Sequence, residues 1–67
     1  MGSNDQKHKE LGAKLKQARE KLEMTQLEVA EEARMHVNYY ARIERGEINT
    51  SYEKLRKIAD VLKIKIL

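Results

Sequence analysis

Residues 24–46 constrain this chain more than any other stretch. Thr25 is followed three residues later by Glu28. In that arrangement the hydroxyl accepts from a backbone N–H of the opening helical turn, and the carboxylate bonds back to the capping residue's own N–H. Beyond the cap, Val29, Ala30 and Ala33 fall on one helical face, and Glu28, Glu31 and Glu32 on the other. Arg34 and Met35 form a tight turn. His36 can cap a second short helix that runs to about Glu44. Gly46 stands where a helix closes in a left-handed residue.

The second helix carries the functional signal. At about 100° per residue, Tyr40, Ile43 and Glu44 share an inward face, while Asn38 and Arg42 point nearly opposite. Val37, Tyr39 and Ala41 flank them. Exposed Asn and Arg side chains one turn apart suit the reading of base edges, because Asn pairs bidentately with adenine and Arg with guanine. The plain alternative is a solvated polar face. Glu44, on the inward face, needs a donor if it is buried. Arg19 offers a two-pronged one, although it also fits a surface role in which its stem covers apolar neighbours.

Residues 11–64 resemble the phage repressor and Cro family of helix-turn-helix DNA-binding proteins, the XRE type. The resembling residues are Leu15, Arg19, Thr25, Gln26, Val29, Ala30, the run from Arg42 through Ile43, Glu44 and Arg45 to Gly46, and Leu55, Ile58, Ala59 and Leu62. The resemblance implies an all-α fold, a four- to five-helix bundle of the lambda-repressor-like type. It also implies a salt bridge between Arg19 and Glu44, and base readers at Val37, Asn38 and Arg42. Tyr39 would touch a phosphate, sugar or thymine methyl. Gln26, His36, Arg45 and Asn49 would hold the DNA backbone. Three positions depart from the family: Arg34 for a turn glycine, Thr50 for a common proline, and Lys63 where glycine often ends the fourth helix.

Sixty-seven residues allow one small domain, read as a flexible segment over residues 1–6 and a helix-turn-helix domain over 7–67. A chain of this size buries only about 60% of the surface its unfolded form exposes. With no cysteine and two isolated histidines, no metal or cofactor is expected. Cations outnumber anions by three, which permits a nucleic-acid partner without demanding one. There is no nucleophile–base pair and no Gly-rich phosphate loop, so an enzyme is not expected. No apolar run approaches a membrane span of about 20 residues, and no signal-peptide pattern is visible, so the expected location is cytoplasmic.

Ahead of the central stretch, residues 7–23 show a helical stripe of Leu11, Leu15, Ala18 and Leu22. Gly12 either weakens that helix or lets another helix approach closely. After the loop 47–51, Thr50 or Ser51 caps a further helix, with Glu53 completing a box if Thr50 is the cap. Tyr52, Leu55, Ile58, Ala59 and Leu62 form its inward face and Val61 lies outside. The tail 63–67 alternates apolar residues over too short a length to separate strand from helix.

The expected partner is double-stranded DNA, bound at a near-palindromic operator by a homodimer, because one module reads too few base pairs to stand out in a genome. Val61, Ile64, Ile66 and Leu67 are candidates for the dimer surface; alternatively the tail completes a monomer's core, and Ile48 and Tyr52 fit either arrangement. A protein-interaction module on the same fold, of antitoxin or coactivator-bridge type, is the competing function.

Overall fold

The computed structural model describes residues 3–65. The capping box forms as the sequence suggests. Thr25 Oγ1 accepts from the Glu28 N–H at 3.0 Å, and the Thr25 N–H donates to Glu28 Oε1 at 2.8 Å. It opens α2 (Gln26–Glu32). Before it lies α1 (Ser3–Lys21), and after it α3 (Val37–Glu44) and α4 (Tyr52–Leu62). The fold is all-α. Among the described residues there is no strand and no helix after α4, and Ile66 and Leu67 lie outside them.

All four helices end in the same way. Glu23, Arg34, Gly46 and Lys63 each adopt a left-handed φ, between 57° and 73°. Across each of them an amide reaches back five residues: Met24 to the Arg19 carbonyl, Met35 to Ala30, Glu47 to Arg42, and Ile64 to Ala59. The left-handed residues themselves donate three residues back, to Glu20, Glu31, Ile43 and Asp60. These paired bonds satisfy carbonyls that a helix end would otherwise leave free. Only one of the four positions is glycine, so three side chains sit where a Cβ costs about 1 kcal/mol or more. At Arg34 and Lys63 the departure from glycine therefore leaves the turn geometry unchanged and adds strain. The Glu23 turn was not visible in the sequence.

The core is built by Leu15, Val29, Ala30, Ala33, Tyr40, Ile43, Ile58 and Leu62, with Tyr40 the largest side chain fully enclosed. α3 packs chiefly on α1 and α2, and α4 closes the other side against both. Gly12 decides how near α1 can come. A Cβ there would lie 2.2 Å from the Glu44 carbonyl oxygen and 2.6 Å from that of Ile43. Of the two accounts of Gly12, close approach is the one the packing requires. Gly46 is doubly constrained, since a Cβ at its φ of 73° would also press on the Lys9 backbone at 2.8 Å.

Several expectations change. α1 starts at Ser3, so residues 3–6 extend the helix, and it stops at Lys21; Met1 and Gly2 lie outside the described residues. Leu22 falls past that end and is 39% exposed, so the apolar stripe does not include it as core. Tyr52, the first residue of α4, is 57% exposed rather than inward: the buried face of that helix begins at Leu55 and is deepest at Ile58, Ala59 and Leu62. Val61 is half-buried rather than outside, and with Ile48 and Ile64 it packs against the core. Within one chain those three residues thus already cover part of the core. Ser51, not Thr50, caps α4, its Oγ accepting from the Lys54 N–H at 3.2 Å.

Candidate nucleic-acid interface

α3 divides sharply into two sides. Tyr40, Ala41, Ile43 and Glu44 are buried, and Asn38 and Arg42 are exposed, four residues apart on one face. The buried side is fixed by an ion pair. Arg19 Nε donates to Glu44 Oε2 at 2.7 Å and its second nitrogen to Oε1 at 3.2 Å, while a third donates to the Met24 carbonyl at 2.9 Å. Gln26 Nε2 adds a further bond to Glu44 Oε1 at 3.0 Å. The Glu44 side chain is only 3% exposed. Burial by itself would push its carboxyl up, but the Arg19 and Gln26 hydrogen bonds and the nearby Tyr40 hydroxyl outweigh that and hold it below the ordinary carboxylate value. Among the described residues the Tyr40 hydroxyl has no hydrogen-bond partner of its own. Burial, with the Glu44 charge close by, pushes its ionisation far up. One carboxylate thus ties α1, the start of α2 and the end of α3 together, which sets the direction of the exposed face.

The start of α3 is set by His36, whose Nδ1 accepts from the Asn38 N–H at 3.0 Å. That bond places the ring proton of the neutral imidazole on Nε2, facing away from the helix end. Val37 is half-buried and packs partly on the core, so its side chain is divided between structure and surface. Tyr39 is anchored on its far side: its hydroxyl lies 3.1 Å from Thr50 Oγ1, and Lys54 Nζ stands 4.6 Å over its ring. The bond to Tyr39 occupies the Thr50 hydroxyl, in keeping with the cap falling to Ser51.

At the end of α3, Glu47 receives Arg45 in a two-pronged pair, at 2.7 Å and 3.2 Å, and stands 3.5 Å from Arg42 Nε. All three side chains are about half exposed. The Arg45 hydrogen bonds hold the Glu47 carboxyl below its ordinary value, with Arg42 adding to the effect. Asn49 is exposed in the loop that follows.

Val37, Asn38, Tyr39, Arg42 and Arg45 thus lie on or just beyond a single helix, with His36 at its start. Gln26 gives one of its two amide N–H groups to Glu44 and is half-buried. Two neighbours were not anticipated from the sequence. Glu47 was read as loop. Lys54 has no part in the sequence reading, although a cation in the first turn of a helix opposes the helix dipole and so signals some other use.

A helix-turn-helix family model, HTH_3, matches residues 15–67. The chain belongs to this family. It is of the XRE type, Cro- and C1-like, a family of DNA-binding transcription regulators. In helix-turn-helix terms α2 and α3 are the motif, and α3 is the second helix, the one this class presents to DNA. The search of curated proteins finds no match. No helix among the described residues is long and apolar enough to cross a membrane, and no group of residues there has the makings of a metal site.

Proposed function

We propose that this helix-turn-helix protein is a sequence-specific, cytoplasmic transcription regulator that inserts α3 into the major groove of double-stranded DNA. The observation that supports this most is the pairing of Asn38 and Arg42 on the one exposed face of a helix whose other face is locked to α1 and α2. A reading helix must hold its side chains at fixed positions against base edges, and that locking supplies the rigidity. Asn38 and Arg42 take the base edges, with Val37 as an apolar contact for a neighbouring base. Tyr39, His36, Arg45 and Asn49 take sugar and phosphate, and Lys54 adds a cation beside Tyr39. Gln26 gives one side-chain N–H to Glu44, which leaves its second amide N–H and its backbone N–H for a phosphate.

The operator argument favours a dimer with two such helices about 34 Å apart on one face of the duplex. Val61 and Ile64 are half used by the core, which leaves less apolar area for the dimer contact than the sequence suggested. Selection of binding sites from random duplexes tests the whole reading. A near-palindromic consensus, with affinity falling steeply as salt rises, is expected. Absence of any enriched site, with no salt-dependent affinity for duplex, would reject it.

A further inference from the structure

Arg42 and Arg45, one assigned to a base edge and the other to a phosphate, converge on one carboxylate. Glu47 Oε2 accepts from Arg45 Nε at 2.7 Å, and Glu47 Oε1 lies 3.2 Å from an Arg45 terminal nitrogen and 3.5 Å from Arg42 Nε. The group is open to solvent, with the three side chains 46–56% exposed. Exposed pairs of this kind add little to stability, since water competes for both partners. Its consequence therefore lies with whatever else approaches the two arginines.

We propose that Glu47 is a specificity-determining residue that competes with DNA phosphate for Arg42 and Arg45, suppressing attachment to non-cognate duplex. This rests on the DNA-binding reading above. Two arginines with a carboxylate between them present one net positive charge instead of two. On a non-cognate duplex only phosphate contacts are available, and Glu47 both occupies the donors and repels the phosphate. On a cognate site, Arg42 gains a base edge when it leaves Glu47, so the exchange is compensated there and nowhere else. Glu47 also holds both guanidinium groups near the end of α3 before binding, which lowers the ordering cost of the cognate complex. Removing its charge therefore helps non-cognate binding more than cognate binding.

The test compares wild type with Glu47→Gln and with Glu31→Gln, using a selected duplex and a scrambled duplex over a range of salt concentrations. Glu31 is an exposed residue of α2 whose replacement changes the net charge by the same amount. Glu47→Gln is expected to tighten binding to the scrambled duplex severalfold and to steepen its salt slope by about 0.9, one further phosphate neutralised. Its ratio of selected to scrambled affinity falls, its melting temperature stays at the wild-type value, and Glu31→Gln leaves the ratio alone. If wild type discriminates between the duplexes and Glu47→Gln does so equally well, the inference is overturned and the DNA-binding reading stands. Equal effects of the two variants overturn it also, by assigning the change to overall charge. A wild type that binds neither duplex overturns both.

Discussion

Glu44 and Glu47 stand three residues apart around the end of α3, and each receives an arginine Nε at 2.7 Å. Their geometries are nearly alike, yet their side chains are 3% and 46% exposed. Glu44 has lost its water and holds three elements through Arg19 and Gln26. Glu47 keeps its water and shares two arginines with solvent. The distance in an ion pair thus says little about its role. What separates the two is the cost of losing a partner: a buried charge left alone is severely penalised, whereas an exposed one is re-solvated. One pair builds the platform, and the other sits where a ligand's phosphates can replace it.

The strongest way to break this contrast is Arg19→Ala. It strands Glu44 and is expected to cost roughly 3–5 kcal/mol of stability, read by chemical denaturation. A double-mutant cycle with Glu44→Gln should show coupling; independent effects would put the two carboxylates in one class. Gly12→Ala tests the same platform from the backbone side. The new methyl meets the Ile43 and Glu44 carbonyls, so a loss of about 1–3 kcal/mol is expected despite alanine's better helix propensity. A variant as stable as wild type would mean that α1 can move away without harm.

On the exposed side, Arg42→Ala should leave the fold intact and cost about 1–3 kcal/mol in binding to a selected site, with relaxed preference at one base position. An unchanged base preference in reselected sites would remove Arg42 from the readers. Acid titration separates the two carboxylates more gently. The Glu44 value is lowered in the native state, so its contribution to stability is fully present above the ordinary value of 4.5 and drains away as pH falls through the native value. The acid loss of melting temperature should therefore be smaller in Glu44→Gln than in wild type. Glu47 is expected to have the least effect of all on stability. Glu47→Ala should melt with wild type, and a clear drop would show that the exposed pair also supports the fold.

The sequence by itself determined the elements and their class. The Thr25–Glu28 box, the spacing of Val29, Ala30 and Ala33, and the opposed faces of the 36–44 helix are local patterns, and local patterns are set by nearest neighbours along the chain. Asn38 and Arg42 were legible for the same reason: their exposure follows from 3.6-residue periodicity on a helix whose other face is apolar. Tertiary structure alone decided the rest. Whether Leu22, Tyr52 and Val61 were inside or outside depended on where helix ends fall and which neighbour covers them, and the chain's periodicity does not encode either. The turns at Arg34 and Lys63 were legible only through the family resemblance and the one at Glu23 not at all, since none carries a glycine; that all three are left-handed follows from packing and returning hydrogen bonds that outweigh a modest backbone strain. The sequence places Glu44 on an inward helical face and Glu47 in a loop, but it does not say how much water each keeps. Only the crossing of α1 over the end of α3, permitted by Gly12, dehydrates one and leaves the other in water.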